Sequence, residues 1–457
     1  MEQIIQTQVA AHNRATHGIV SSSFLQLAQA GEILTRHLLL RALVRICSSA
    51  ANLIKVGIQL GLFQPHKIFQ SHSVTSVIAI AKTMQIKSKE FKVVHYSYES
   101  SNMDITSILV PSVQELAKEP LTQVPDRYVL PDQKTVVLSN NTSLPQIPVI
   151  DFSKLLSQDL NLKNHELEKL HCACKEWGFF QLVNHGISTS LVENMKTDTK
   201  TLFELSKEEK NKLWQREGEI EGFGQAFILS EKQKLEWADT FFLNTLPSHL
   251  RNTYLFNQIP QTFRENLEIY SAELEKLAIK IIELMANALA INPKEMTELF
   301  NIGTQIIRVN YYPPCPQPER VIGLKSHSDA GGLTILLQIS DIEGLQIRKD
   351  EQWIPIKPLP NAFIVNIGDM LEIITNGIYP SIEHRATVNL EKERISLATF
   401  YGPNMQAILA PAPSLVTQER PAQFRKISVV DHFNGYFSQE LRGKSYLNQM
   451  KITQGGE

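Results

Sequence analysis

Two side chains that could bind a metal stand two residues apart in the chain. His327 and Asp329 belong to the stretch GLKSHSDAGGLTILLQ (323–338), which reads from Leu333 onward as an apolar β-strand. Alternate side chains of an extended chain point to the same side, so the imidazole and the carboxylate are expected to face the interior together. Because a buried carboxylate without a partner is costly, the pair predicts a compensating charge, such as a metal ion.

His384, in the stretch SIEHRATV, is the candidate third ligand. It follows Asp329 by 55 residues, which is enough for several strands to leave the site and bring the chain back. Two imidazoles and one carboxylate form the facial triad of non-haem Fe(II) oxygenases, and the ion would offset the charge of Asp329. Taken singly, these residues have ordinary structural interpretations, because an Asp-Ala-Gly-Gly stretch forms local turns and a lone histidine is usually structural.

A cationic and a hydroxyl side chain follow His384 in an apolar segment. Arg394 and Ser396 stand in RISLATF, and Arg394 is ten residues past His384. If His384 and Arg394 lie on adjacent antiparallel strands, the guanidinium and the hydroxyl face the metal cavity from deeper inside. An arginine fork suits a carboxylate, so the pair predicts a carboxylate receptor. A surface arginine is the alternative for Arg394 alone, but its apolar strand favours an anionic partner.

Short segments typical of strands surround these residues from about residue 305 onward. They are QIIRVNYYP, GLTILLQ, GLQIRK, WIPIKP, AFIVNIGDMLEIIT, HRATVN and RISLATFYGP. Strands at this spacing predict a sandwich, a barrel or a jelly roll. Upstream, the patterns predict helices at 112–118, 165–176 and 262–289, strands at 147–151 and in FFQLVNH, and a helix that a capping box opens at Ser206 and Glu209. The expected fold class is therefore α+β, mostly helical first and mostly β second.

The overall composition is that of a globular protein, with 43% hydrophobic and 20% charged residues among 457. The net charge of −2 argues against a general nucleic-acid binder. No uncharged apolar run reaches the ~18 residues of a membrane span, so no transmembrane helix is predicted. Four cysteines are too few for a disulfide framework, which favours a reducing compartment and a cytoplasmic protein. A monomer that acts on a small molecule is the expected form.

The first 89 residues differ from the rest of the chain. They hold nine Lys or Arg against two acids, a net charge of +7. This acid-poor, arginine- and serine-containing composition is typical of an organelle transit peptide. The length of the segment and its Ile- and Val-rich pieces, such as SVTSVIAIA, favour instead an extension without a fold of its own.

Taken together, the motifs resemble the plant 2-oxoglutarate- and Fe(II)-dependent dioxygenases. The resemblance covers about residues 108–445 and rests on WGFFQLVNHG, VNYYPPCP, HSD, SIEHR and RIS, which follow one another in the order found in that family. VPSVQELAKEP, GFGQAFILSEKQKLEWADTFF and PLPNAFIVNIGDMLEIITNG are similar to its senescence-related-gene-like and codeine O-demethylase-like branch.

The resemblance implies a double-stranded β-helix, or jelly roll, with a helical N-terminal region. The implied divisions are a helical and mixed region at 108–300, an Fe(II)/2-oxoglutarate jelly-roll core at 301–410, and a C-terminal helical lid and tail at 411–457. Residues 1–107 match nothing in the family, and an atypical, poorly ordered extension is expected there.

The resemblance also implies cofactors and the residues that hold them. The implied Fe(II) ligands, which are also the implied catalytic residues, are His327, Asp329 and His384. The residues implied to hold 2-oxoglutarate are Arg394, Ser396, Tyr312 and Asn310. O₂ is the implied second co-substrate, and ascorbate the reductant. Phe400 and Arg308 are implied to border the substrate pocket, although plain core packing is the alternative for Phe400.

The implied reaction is the oxidation of a small hydrophobic plant specialised metabolite by hydroxylation, O-demethylation or desaturation. One alternative is an ascorbate-dependent oxidase that works without 2-oxoglutarate. The amount of succinate released per O₂ consumed would distinguish it from a 2-oxoglutarate-dependent dioxygenase. The other alternative is a catalytically silent small-molecule-binding protein, which the intact triad and the Arg394/Ser396 pair disfavour.

Overall fold

The computed structural model describes residues 108–130, 145–216, 219–225, 228–440 and 443–452. All of them belong to the second of two compact units, 98–457. The extension predicted for 1–107, with its transit-peptide alternative, lies outside the described residues. Within the described ranges, no helix combines the length and the apolar composition that crossing a bilayer requires.

The described residues form most of the strands and helices that the sequence predicts, and others that it does not, such as the helix Thr189–Glu204 and the strand Asp239–Leu246. The strands are β1 (Val149–Asp151), β2 (Phe179–Val183), β3 (Gly222–Gly224), β4 (Asp239–Leu246), β5 (Thr304–Tyr312), β6 (Leu324–His327), β7 (Leu333–Gln338), β8 (Leu345–Lys349), β9 (Gln352–Pro355), β10 (Phe363–Ile367), β11 (His384–Ala386), β12 (Arg394–Gly402), β13 (Ile408–Leu409) and β14 (Ile427–Ser428). The α-helices are α1 (Val113–Leu116), α2 (Phe152–Leu155), α3 (Leu160–Cys172), α4 (Thr189–Glu204), α5 (Lys207–Lys212), α6 (Thr253–Gln258), α7 (Gln261–Ala288), α8 (Lys294–Thr297), α9 (Asp369–Ile374), α10 (Val429–Phe437) and α11 (Ser445–Gln449).

Two sheets enclose the part of the molecule that carries the candidate residues. The large sheet has the order β1-β2-β10-β7-β12-β5-β4-β3, and the small sheet has the order β6-β11-β8-β9. Neighbouring strands are antiparallel except β1 and β2. Leu336 and Ile364 from the large sheet pack with Ile347 from the small sheet in one buried cluster. The two sheets therefore face each other across an apolar core, as in the expected jelly roll.

Helix α7 supports the large sheet from its other face. Its apolar residues recur with helical spacing, as at Leu267, Leu274 and Ile281, and form one stripe along the helix. That stripe is buried in the same cluster as Ile307 and Leu397, whose neighbours in sequence face the opposite side of the sheet. The helix thus holds the strands whose inner face lines the site.

Local signals in the sequence set several helix boundaries. Ser206 and Glu209 form the predicted capping box at the start of α5, with the Ser206 hydroxyl accepting from the Glu209 N–H and the Glu209 carboxylate accepting from the Ser206 N–H. A π-helical turn, Ala173–Trp177, follows α3 and ends at Gly178, whose φ of +58° lies in the left-handed region. Glycine adopts this conformation at little cost, so the chain turns there into β2.

One segment predicted as a strand is wrong in its second half. The stretch AFIVNIGDMLEIIT forms β10 only to Ile367, and α9 begins at Asp369. At Gly368 between them, an added Cβ would lie 2.3 Å from the Gly331 carbonyl oxygen. This close approach lets the Met370 N–H reach the same carbonyl at 3.0 Å. The apolar run therefore turns onto the loop after β6 and becomes helical there.

Candidate metal centre and active site

The three predicted metal ligands converge in the space between the sheets. His327 ends β6 and His384 begins β11, and the register of these strands pairs the two residues directly. Their ring centroids are 4.2 Å apart. Asp329 follows β6, and its Oδ1 lies 3.5 Å from His327 Nε2 and 3.6 Å from His384 Nε2. One potential ligand atom from each residue lies within 4.8 Å of the others.

Backbone carbonyls fix which nitrogen of each imidazole faces the centre. His327 Nδ1 lies 2.8 Å from the Lys325 carbonyl oxygen, and His384 Nδ1 lies 3.1 Å from that of Ile382. Since a carbonyl only accepts, each Nδ1 carries the proton and each Nε2 keeps a free lone pair. This is the arrangement in which a metal-binding histidine is oriented by its second nitrogen.

Two further side chains, which the sequence reasoning missed, orient Asp329. Its Oδ2 accepts hydrogen bonds from Thr334 Oγ1 at 2.6 Å and from Asn366 Nδ2 at 2.8 Å. These residues lie directly opposite each other on β7 and β10. Both bonds go to Oδ2, so Oδ1 is left to face the histidines. The available signal was a polar residue inside each of two otherwise apolar strands, LTILLQ and FIVNI.

The electrostatics of the centre favour an ionised Asp329 carboxylate and a neutral His384 imidazole. Burial and the neighbouring His327 lower the pKa of His384 to about 4. Burial by itself would raise the pKa of Asp329, but the adjacent histidines and the Asn366 amide outweigh it and hold that pKa well below its ordinary value. Two imidazole nitrogens and one carboxylate oxygen match the donor set of non-haem Fe(II) sites. The residues present therefore fit a ferrous ion.

Arg394 is a buried cation whose partners are polar but uncharged. It is 2% exposed, and its Nη2 donates to Gln338 Oε1 at 2.8 Å. Its guanidinium carbon lies 5.2 Å from the centroid of the Tyr312 ring. In the described part of the chain Arg394 Nε has no hydrogen-bond partner, and no acidic side chain forms an ion pair with Arg394. A buried guanidinium in this state fits the carboxylate of a small molecule.

The other predicted 2-oxoglutarate residues lie beside Arg394 on the same face of the large sheet. The antiparallel register of β12 and β5 sets Arg394 opposite Tyr312 and Ser396 opposite Asn310, and cross-strand partners share a face. Burial raises the pKa of Tyr312, so its hydroxyl stays a neutral donor. Asn310 Oδ1 is buried and has no hydrogen-bond partner among the described residues.

The expectation that His384 and Arg394 lie on adjacent strands is wrong. His384 is on β11 of the small sheet, and Arg394 is on β12 of the large sheet. The segment between the two strands crosses from one sheet to the other, because a jelly roll is closed by strands that alternate between its walls. The two residues still face the same interior, but from opposite sides.

The two candidate substrate residues continue the inner face of the large sheet. Arg308 lies opposite Ala398, and Phe400 lies opposite Ile306, so both share the face of Arg394. Phe400 is half-buried and packs at the edge of the apolar cluster between the sheets. Arg308 is buried, and its Nη2 lies 4.0 Å from Glu236 Oε2.

The fold and the site together define a jelly-roll protein with the two-histidine, one-carboxylate motif of non-haem iron enzymes. The family model for the 2OG-Fe(II) oxygenase superfamily matches residues 303–403, and the model described as non-haem dioxygenase in morphine synthesis N-terminal matches residues 147–262. The chain belongs to the 2OG-Fe(II) oxygenase superfamily.

The alignments cover nearly the whole length of individual relatives. Protein SRG1 from Arabidopsis thaliana is 53% identical over 76% of this chain and 98% of its own length. Thebaine 6-O-demethylase from Papaver somniferum is 50% identical over 75% of this chain and 96% of its own. The crystal structure of JOX2 in complex with 2OG, Fe and JA is 35% identical, with a TM-score of 0.66 over 75% of this chain and 98% of that chain. The predicted family, fold class and enzyme class are confirmed, and the protein is an oxidoreductase that uses Fe(II) and 2-oxoglutarate.

Proposed function

We propose that this protein oxidises a C–H bond of a small hydrophobic plant metabolite, with an O-methyl carbon as the first target to test. The observation that supports it best is that three potential ligand atoms face the same jelly-roll interior as the buried guanidinium of Arg394. Among the described residues, that guanidinium has no acidic partner. The 50% identity to thebaine 6-O-demethylase supports O-demethylation. Hydroxylation and desaturation are the other outcomes that the same chemistry allows.

The proposed ligands of Fe(II) are His327, Asp329 and His384. When bound, the ion and 2-oxoglutarate supply O₂ activation coupled to oxidative decarboxylation, which releases CO₂ and succinate. The chain's own contribution is geometric. Thr334 and Asn366 hold the Asp329 carboxylate in one orientation, so the ligand set is preorganised before the metal binds.

The proposed site for the distal carboxylate of 2-oxoglutarate is Arg394 with Ser396. Gln338 fixes one side of the guanidinium, and Nε has no hydrogen-bond partner in the part of the chain that the structure describes, so the fork is oriented but not saturated. On the neighbouring strand β5, Tyr312 is proposed to donate a hydrogen bond to the same co-substrate, and Asn310 lies two residues before it on the same face. A charge-assisted contact in this buried setting both binds the co-substrate and sets its direction.

The proposed substrate lies against the apolar part of the interior. Phe400 offers an aromatic surface at the edge of the cluster between the sheets, and Arg308 borders the same face. Apolar walls with few polar groups favour a hydrophobic ligand and exclude water from the reacting carbon. Oxidation at an O-methyl carbon then gives a hemiacetal, which breaks down to formaldehyde and a free hydroxyl.

The test reconstitutes the full chain with Fe(II), 2-oxoglutarate and ascorbate without oxygen, then admits O₂ and matched pairs of hydrophobic metabolites. Each pair contains a methyl ether and its free hydroxyl form. We expect one formaldehyde and one succinate per turnover of an accepted methyl ether. The control is Asp329→Ala, which removes a ligand and should give neither product above background.

Three results would redirect the proposal. Succinate with a hydroxylated or desaturated product, but no formaldehyde, replaces O-demethylation by one of the other two outcomes. Ascorbate-dependent O₂ uptake without succinate identifies an oxidase that does not use 2-oxoglutarate. Substrate binding without turnover, equal in the wild type and in Asp329→Ala, identifies a silent binding protein.

We also propose that the protein works in the cytoplasm as a monomer. The described cysteines, Cys172, Cys174 and Cys315, are all free thiols, which supports a reducing compartment. Imaging a C-terminal fluorescent fusion of the full chain tests the location, and light scattering tests the mass. Import into an organelle with loss of the first residues would overturn the first proposal, and a dimer mass the second.

A further inference from the structure

The backbone that carries two of the metal ligands lies at the edge of the small sheet. In the order of that sheet, β6 is the first strand and has β11 as its strand neighbour. The carbonyl groups on its open side therefore need donors from elsewhere. An edge segment without such donors would be a mobile support for His327 and Asp329.

Donors from the C-terminal region meet three alternate carbonyls of this segment. The three hydrogen bonds are Gly443 N–H to Ser326 O at 2.9 Å, Tyr436 Oη to Ser328 O at 2.7 Å, and His432 Nε2 to Ala330 O at 3.1 Å. Between them, the Asp329 carbonyl accepts from the Asp369 N–H at 2.7 Å. The three residues that accept from the C-terminal region therefore alternate with the two metal ligands along the chain.

The C-terminal donors are themselves held in place. The Lys444 ammonium lies 2.6 Å from Glu372 Oε2, and the Glu372 side chain is buried in α9. Gly443 has a φ of +57°, and an added Cβ would lie 2.9 Å from Glu383 Oε1, next to His384 in sequence. Phe433 packs into the main core on the same helix, α10, that carries His432 and Tyr436. These contacts fix the C-terminal donors against α9, against the residue before His384 and against the main core.

We propose that His432 and Tyr436 on α10, together with Gly443 and Lys444, form a C-terminal clamp that positions His327 and Asp329 for the metal. The inference rests on the proposed function of these residues as Fe(II) ligands. Tyr436 and His432 are positioning residues, because they hydrogen-bond the backbone beside the ligands. When a clamp bond is removed, part of the metal's binding free energy must order the segment, and metal affinity falls.

The test compares two tyrosines that differ in what their hydroxyl groups contact. Tyr436→Phe removes the bond to Ser328 O beside the metal ligands. Tyr446→Phe is the matched control, because the Tyr446 hydroxyl lies 3.4 Å from the Asp431 carbonyl oxygen, away from those ligands, and its ring packs against His432. The metal-free full chain of each variant is titrated with Co(II), and the dissociation constant and the ligand-field absorption of the bound ion are recorded. The melting temperature of each metal-free variant is measured separately.

We expect Tyr436→Phe to bind Co(II) about fivefold more weakly, the factor that one hydrogen bond of ordinary net strength is worth, and to show a shifted absorption band. Tyr446→Phe should bind like the wild type, even if both variants melt at lower temperature. If Tyr436→Phe does not fold, Lys444→Met replaces it. This variant removes the ion pair with Glu372 that anchors the clamp, and it should also weaken Co(II) binding.

Unchanged affinity and spectrum in Tyr436→Phe, or in Lys444→Met when that variant must replace it, would overturn the clamp. Equal weakening in Tyr446→Phe would overturn it too, because the effect would then follow general stability. A wild-type chain that does not bind Co(II) at all would instead remove the metal centre of the proposed function, and the clamp with it.

Discussion

Replacing Arg394 by lysine separates recognition of the co-substrate from assembly of the metal centre. Lysine keeps the positive charge but not the planar fork that reaches Gln338 and leaves Nε for a ligand. Hydrogen bonds to charged groups are worth about 1.5–3 kcal/mol each. The loss of one such bond to the 2-oxoglutarate carboxylate therefore predicts a dissociation constant about 10- to 150-fold higher.

The chain contains a close match for this arginine. Arg385 Nε donates to Gln346 Oε1 at 2.8 Å, and its guanidinium carbon lies 4.2 Å from the ring centroid of Trp353. It thus has the same kinds of partner as Arg394. However, Arg385 follows the inward-facing His384 on β11 and so points to the opposite face. Arg385→Lys should leave 2-oxoglutarate binding unchanged.

The assay is calorimetric titration of each Fe(II)-loaded variant with 2-oxoglutarate under anaerobic conditions, followed by steady-state kinetics. Arg394→Lys should raise the dissociation constant and the apparent KM for 2-oxoglutarate, while kcat at saturating co-substrate changes by less than the KM. Affinity for Fe(II) itself should stay within about twofold, since Arg394 is on the other sheet from the two histidines. An unchanged dissociation constant in Arg394→Lys, or an equal rise in Arg385→Lys, would refute this reasoning.

Three further predictions concern the surroundings of the metal and the substrate. Thr334→Val and Asn366→Leu each remove one donor to Asp329 Oδ2 and should lower metal affinity about 10- to 100-fold by calorimetry; a change under twofold in both contradicts this role. Phe400→Ala should raise the KM for substrate about two- to tenfold, because an aromatic contact of this kind is worth about 0.5–1.5 kcal/mol. An unchanged KM would return Phe400 to plain core packing. Burial lowers the pKa of His432 to about 4, against about 6.5 in the unfolded chain. Between these pH values the unfolded chain binds more protons than the folded one. The free energy of unfolding therefore falls as the pH drops from 6.5 to 4, by up to about 3 kcal/mol. Urea titrations of His432→Gln, which has no titrating ring, should show a shallower decline, and an identical slope would contradict the assignment.

The sequence by itself determined many of the strands and helices and the chemistry of the ligands. Alternation in the apolar strands predicted that His327 and Asp329 face inward, and helical spacing predicted α7 to within one residue at each end. These signals are local, because a strand or helix period is written in neighbouring residues. The residue types of the triad likewise restrict the metal before any coordinates are known.

The tertiary structure alone decided which residues of distant segments meet. Asn366 reaches Asp329 across 37 positions, and Tyr436 reaches Ser328 across 108. Arg394 came out on the large sheet and His384 on the small one, against the expectation from their short separation. Such contacts depend on strand order and register, and a slip of one residue would turn every side chain of a strand to the other face. No local pattern records that register, so the orientation of the ligands and the clamp behind them had to be read from the folded chain.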